Sequence, residues 1–188
     1  MTPNELLVVQ RELQRTIDQS IPGDVVEFGC YVGTTSVFLA DKLRSTNKRL
    51  YLYDSFEGLP LKTSEDESPI GVQFIAGELQ ASKKQLIKNL KQAHVPMPTI
   101  TKGWFSELVD TQIPETISFA FLDGDYYHSV RDSLELIWSH LSADAVVIVD
   151  DYANEALPGA AKAVDEWLKR NPIKRISVES SLAIIELL

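Results

Sequence analysis

The chain predicts an α/β fold built on an open, mostly parallel sheet of seven strands, and three observations predict it. The apolar runs Phe119-Ala-Phe-Leu122 and Ala145-Val-Val-Ile-Val149 each end in acidic residues, Asp123-Gly-Asp125 and Asp150-Asp151, and read as buried parallel strands. Between them, Val130, Leu134, Ile137, Trp138 and Leu141 recur at helical spacing, so strand, helix and strand form one right-handed crossover. The last two apolar segments are joined by Glu179-Ser180-Ser181 alone, a link short enough only for an antiparallel pair.

The elements follow in order. Residues 4 to 20 place Leu6, Val9, Leu13 and Ile17 on one helical face, and Ile21-Pro-Gly-Asp24 ends that helix. Asp24 to Gly29 is a short buried strand, and Thr34 to Leu43 the helix after it, with Thr34 or Thr35 as N-cap. Strand two is Leu50 to Asp54. From Ser55 to Gly77 the chain is irregular, and so long a loop inside a compact domain is expected to act as a lid or to shape a substrate pocket. A helix over Glu78 to Ala93, a third strand over Pro96 to Thr101 and a short helix over Trp104 to Val109 precede the two acidic strands. A helix from about Gly159 to Lys169 and strands over Lys174 to Val178 and Leu182 to Leu187 complete the count, with the reversed strand at or near the sheet edge.

At 188 residues and 44% hydrophobic, the chain reads as one domain with one substantial core. A net charge of −9 and a pI near 4.8 leave no basic stripe to release counterions from a phosphate backbone, which disfavours a nucleic-acid partner, so none is expected and a small molecule is. Lys83, Lys84, Lys88 and Lys91 have helical spacing and read as a solvated face. The single cysteine, Cys30, fits a reducing compartment and reads as a small residue in a tight loop. Neither a signal peptide nor a membrane-spanning run is legible, and cytoplasmic location is expected. Oligomeric state is left open, a homo-oligomer being compatible with the sequence.

The chemistry concentrates at strand ends, where open α/β sheets place their ligands. Strands four and five would bring three or four of Asp123, Asp125, Asp150 and Asp151 to one edge, and carboxylates so close raise one another's pKa unless a hard cation holds them ionised. The turn Glu27-Phe-Gly29-Cys-Tyr-Val-Gly33 departs from G-x-G-x-x-G: its carboxylate would repel a pyrophosphate but suits an amine or sulfonium ligand. Asp54, ending strand two, stands where nucleotide-binding α/β folds place an acid on ribose hydroxyls. His94 and His140 read as helix-end residues, and Trp138 and Trp167 as packing.

With Gly23-Asp-Val-Val-Glu-Phe-Gly29, Asp54-Ser-Phe-Glu-Gly-Leu-Pro60, Gly103-Trp-Phe105, Leu122-Asp-Gly-Asp125 followed by Tyr127 and Ser129, and Val147-Ile-Val-Asp-Asp-Tyr152 in place, the chain resembles a class I S-adenosylmethionine-dependent methyltransferase. It is most similar to the macrocin O-methyltransferase family, metal-dependent enzymes that methylate hydroxyls of natural-product sugars and related acceptors. The resemblance runs from about residue 20 to 168. It implies a Rossmann-like sheet with helices on both faces. It also implies that Glu27, Gly29, Tyr31 and Gly33 cradle the methionine end of the cofactor, that Asp54 holds the ribose, that Gly103 and Trp104 lie near the adenine, and that Thr35 and Ser55 are further cofactor-binding residues. Asp123, Asp150 and Asp151 would ligate Mg²⁺, Asp123 also lying against the cofactor, and Asp125 or His128 would be the base. His128 stands where the family string is expected to carry an acidic residue. Only one helix precedes the first strand, so the family's N-terminal cover over a bulky acceptor is expected to be reduced or absent.

Two other classes compete. Phe121-Leu-Asp-Gly-Asp125 also looks like the nucleophile string of haloacid-dehalogenase-like phosphatases, but no hydroxyl motif and lysine fit before the acidic pair. A non-catalytic cofactor-binding subunit is the third, which the complete acidic set argues against.

Overall fold

The computed structural model describes residues 1–188. Helix α1 (Pro3–Asp18) leads into β1 (Asp24–Phe28), α2 (Thr34–Leu43) and β2 (Leu50–Asp54). A long irregular segment follows, then α3 (Lys83–Gln92), β3 (Thr99–Lys102), β4 (Ile117–Leu122), α4 (Tyr127–Ile137), β5 (Leu141–Val149), α5 (Pro158–Leu168), β6 (Arg175–Glu179) and β7 (Leu182–Glu186). One sheet contains all seven strands in the order β3-β2-β1-β4-β5-β7-β6, and only β7 runs against its neighbours. No helix is long and apolar enough to cross a membrane.

Alternation along the strands builds a core on each face of the sheet. Val25, Leu52, Phe119, Phe121, Val146 and Ile148 meet α1, α2 and α3 through Val9, Leu13, Leu39, Leu86 and Leu90. Val26, Phe28, Ala120, Leu122, Val147 and Val149 face the other way, onto Val130, Leu134 and Ile137 of α4 and Val164 and Trp167 of α5. Both faces are therefore covered, which is why residues 119–122 of β4 and 145–149 of β5 read as unbroken apolar runs.

Several local expectations shift, each for a physical reason. The third helix starts at Lys83 because Ser82 caps it, its hydroxyl accepting from the Gln85 amide, whereas Leu79 sits at φ 58° and is exposed. The third strand begins at Thr99, after Pro96 and Pro98, which have no amide hydrogen to give a ladder. Neither Thr34 nor Thr35 caps α2; Gly33, at φ 89°, is the N-cap and contributes no side-chain bond. The expected helix after Trp104 is a single 3₁₀ turn, Phe105–Glu107.

The segment between β2 and α3 is pinned to the rest by its own polar groups. Asp66 is 1% exposed; its Oδ1 accepts from the Tyr127 amide at 2.7 Å, supplying from outside the cap that α4 lacks locally. Its Oδ2 accepts from the amide and hydroxyl of Thr63. The Tyr126 hydroxyl donates to the Phe74 carbonyl, and the Ser68 hydroxyl to that of Glu155.

Candidate functional site

The carboxyl ends of β1, β4 and β5 are tied in register by amides that continue the ladder past the strands. Gly29 donates to Tyr53, Asp123 to Phe28 and Asp150 to Leu122. At Gly29, with φ +84°, an added Cβ would lie 2.0 Å from the Asp123 carbonyl oxygen, so only glycine lets the first turn close against β4. That turn is held by Asp54, whose Oδ2 accepts from the amides of Cys30 at 2.8 Å and Tyr31 at 3.0 Å, while its Oδ1 accepts from Phe56 at 2.7 Å. A carboxylate offers about four lone-pair positions, so Asp54 has little capacity left for a ligand hydroxyl.

Above these strand ends lies a cavity of about 690 Å³, within the range of small-molecule and cofactor sites. Glu27, Gly29, Tyr31, Thr35, Asp54, Ser55, Trp104, Asp123, Asp125, His128, Asp150 and Asp151 all line it. Two of the residues assigned to the cofactor from the resemblance do not. Gly33 abuts Leu86 of α3, and Gly103 donates its amide to Asp54 beside Leu108. The far wall comes from the irregular segment, through Leu59, Pro60, Phe74 and Leu79, together with Leu157. The sequence marks neither these residues nor Thr34, Asp132 and Asn154 as lining: Thr34 reads as an N-cap, Leu79 as part of a helical packing stripe, Leu59, Pro60 and Phe74 only as members of a loop expected to shape a pocket, and Asp132, Asn154 and Leu157 carry no motif.

Glu27 is 1% exposed, and its Oε2 is buried with no hydrogen-bond partner. Burial, with the charge of Asp54 added, pushes its carboxyl up to about 8. An orphaned carboxylate oxygen at a cavity wall is a receptor for a cation or a donor.

Asp123, Asp125 and Asp151 each bring a carboxylate oxygen within 4.8 Å of the others. Asp125 reaches the group through a left-handed backbone at φ 58°, and Asp151 through φ 57°. The tightest group thus contains Asp125 and not Asp150, the third carboxylate named from the resemblance. Asp150 Oδ1 accepts from the Asp151 amide at 2.8 Å and lies 3.2 Å from the Ser181 hydroxyl, which donates to Glu5 Oε1 at 2.8 Å, and Asp150 Oδ2 has no hydrogen-bond partner. Burial acts on all four, and repulsion from neighbouring aspartates on Asp123, Asp125 and Asp150. Asp123 is pushed well above the usual carboxylate range by burial and the charges of Asp150 and Asp125, and Asp125 to about 8 by burial, Asp151 and Asp150. Asp150 rises to about 6 through burial and Asp151, and Asp151 rises through burial. Hard oxygen donors that cannot all ionise alone suit a hard divalent cation, which would hold them ionised together. His128, in the first turn of α4, is exposed at the cavity wall, its ring edge-on to Tyr127 at 5.2 Å.

The family model described as macrocin O-methyltransferase (TylF) matches residues 3–180. An 8-demethyl-8-(2,3-dimethoxy-alpha-L-rhamnosyl)-tetracenomycin-C 4'-O-methyltransferase of Streptomyces olivaceus is 29% identical over 153 residues, covering 77% of this chain and 58% of that protein. A demethyldecarbamoylnovobiocin O-methyltransferase of Streptomyces niveus is 27% identical over 168 residues, covering 85% and 63%. The chain therefore spans about three-fifths of the length of these two relatives. Among solved structures, the O-methyltransferase NovP superposes with a TM-score of 0.84 at 24% identity, over 98% of this chain and 79% of that one, which establishes the fold.

Proposed function

The chain belongs to the macrocin O-methyltransferase family, and we propose that it moves the methyl group of S-adenosylmethionine to a hydroxyl of a small natural-product, sugar or phenolic acceptor with the help of Mg²⁺. One observation carries this reading: an unpartnered buried carboxylate, Glu27, and a group of carboxylates from β4 and β5 face the same cavity. The first suits the cationic methionine end of the donor and the second a hard cation, so the two reactants' anchors share one space.

Glu27 Oε2 would accept from the donor's ammonium group, Trp104 would pack on its adenine, and the remaining lone pair of Asp54 would reach the ribose. Asp123, Asp150 and Asp151 would hold the ion, Asp150 through its free Oδ2. When bound, the donor supplies an already activated methyl and Mg²⁺ lowers the pKa of an acceptor hydroxyl that reaches it. Asp125, whose carboxyl lies in the same group, would take the proton of the acceptor hydroxyl during methyl transfer, and His128 is the second acceptor within the cavity. Leu59, Pro60, Phe74 and Leu157 exclude water from the reacting oxygen and position the acceptor's apolar body.

Transfer of a radiolabelled methyl group from S-adenosylmethionine to a panel of glycosylated and phenolic acceptors, with and without a chelator, tests the reading. Chelator-sensitive labelling supports it. Absence of donor binding by the folded protein refutes it. Asp125→Asn abolishing turnover while His128→Ala leaves it assigns the proton to Asp125, and the converse assigns it to His128.

A further inference from the structure

Asp151 is not free to turn. Its backbone is left-handed, its amide is bound to Asp150 Oδ1, and its own Oδ1 accepts from the side-chain amide of Asn154 at 2.8 Å. Asn154 is fixed in turn from its other end, its Oδ1 accepting from the Ala156 amide at 3.0 Å, and the Asn154 amide itself donates to the Asp151 carbonyl at 3.1 Å. The two ends of the Asn154 side chain thus have opposite partners, a carboxylate for the N–H₂ and an amide for the oxygen, which sets its orientation. Asp151 Oδ2 carries no hydrogen bond.

Resting on the reading that Asp151 ligates a divalent ion, we propose that Asn154 is a positioning residue that holds the Asp151 carboxylate to one-oxygen ligation and thereby favours a small octahedral ion over Ca²⁺. The physical argument is one of denticity. Mg²⁺ demands near-octahedral geometry at about 2.0–2.1 Å, whereas Ca²⁺ takes six to eight oxygens, often with both oxygens of one carboxylate. A carboxylate with one oxygen committed to a neutral amide donor, on a backbone that is itself fixed, resists the rotation that would present both oxygens to a larger ion. Partners of this kind that orient a ligand typically change metal affinity by about 10- to 100-fold when removed.

Asn154→Ser tests this, because a serine hydroxyl can accept from the amide two residues on and keep the turn, while it cannot reproduce the amide's bond to Asp151. Asn154→Ala is the second variant. Mn²⁺ binding is read by electron paramagnetic resonance on the protein without donor or acceptor, and Mg²⁺ and Ca²⁺ are titrated as competitors. Expected for the serine variant is a loss of Mg²⁺ affinity of about 10-fold or more with a smaller loss for Ca²⁺, so that the Ca²⁺ to Mg²⁺ affinity ratio rises several-fold. The alanine variant should move the ratio the same way, and Asn154→Gln, which retains an amide donor, should recover part of the change. A ratio within twofold of the parent in the serine variant overturns the role of Asn154 while the metal site stands. Failure of the parent protein to bind Mn²⁺ at all overturns the metal reading, and this inference with it.

Discussion

Replacing Glu27 by glutamine keeps the shape of the buried side chain and removes its capacity to ionise. In the ligand-free protein the carboxyl is pushed up to about 8, against an ordinary value near 4.5. The folded state therefore holds this proton more tightly than the unfolded chain does. That contribution to stability is fully present below about pH 4.5 and is lost as the pH rises through about 8. The difference between the two values corresponds to about 5 kcal/mol as an upper bound. Relaxation and water entry from the adjoining cavity should leave on the order of 2 kcal/mol, or roughly 4–8 °C in melting temperature for a chain of this size. The glutamine variant carries no such loss. An unpaired buried amide costs it about 1–3 kcal/mol, but equally at every pH. Asp123, Asp125 and Asp150, also raised, contribute the same slope to both proteins and cancel in the comparison. Melting temperatures of both proteins, taken without ligand from pH 5 to pH 9, should show the variant gaining on the parent by several degrees as the pH rises. A gap that stays constant, or widens in the parent's favour at high pH, would refute the reasoning.

Three further outcomes are expected. Gly29→Ala forces a Cβ to 2.0 Å from the Asp123 carbonyl at φ +84° and should lower stability by about 3 kcal/mol or more, read as a fall in urea midpoint. Asp66→Ala removes the acceptor for the Tyr127 amide and for both Thr63 donors; a loss of about 2 kcal/mol and faster proteolysis between residues 59 and 82 should follow, with donor affinity changed less than stability. Asp151→Asn weakens the carboxylate group, so turnover should fall by roughly 100-fold or more at low Mg²⁺ and recover in part at high Mg²⁺, measured by methyl transfer across a magnesium titration.

The fold was legible because its signals are local and repeated. Apolar runs such as Ala145 to Val149 need two covered faces, and a three-residue link such as Glu179 to Ser181 permits only a hairpin. Boundaries moved where a single capping residue decided them, as Ser82 did for α3. The site's floor was legible for a related reason: in a parallel sheet, residues just beyond strand ends converge whatever the loops do, and Glu27, Asp54, Asp123, Asp125, Asp150 and Asp151 all line one cavity. The finer arrangement was not. Whether Asp125 or Asp150 joins the tightest carboxylate group turns on the left-handed backbones of Asp125 and Asp151, which a strand-end motif does not specify. Gly33 and Gly103 serve packing and the sheet edge instead of the cavity wall, a distinction that a glycine's identity does not carry. The wall over the site, from Leu59 to Leu79, has no periodicity at all, and its placement rests on tertiary bonds such as Asp66 to Tyr127.

Calorimetric titration of S-adenosylmethionine into the protein, with Mg²⁺ and then with chelator, tests most directly whether this cavity holds a sulfonium donor beside a divalent ion. The account predicts one donor per chain, binding that weakens sharply in Glu27→Gln, and a separate Mg²⁺ isotherm that disappears in an Asp123→Asn, Asp151→Asn double variant. Donor heat unchanged by the loss of Glu27, or magnesium binding that survives the loss of both aspartates, would contradict it.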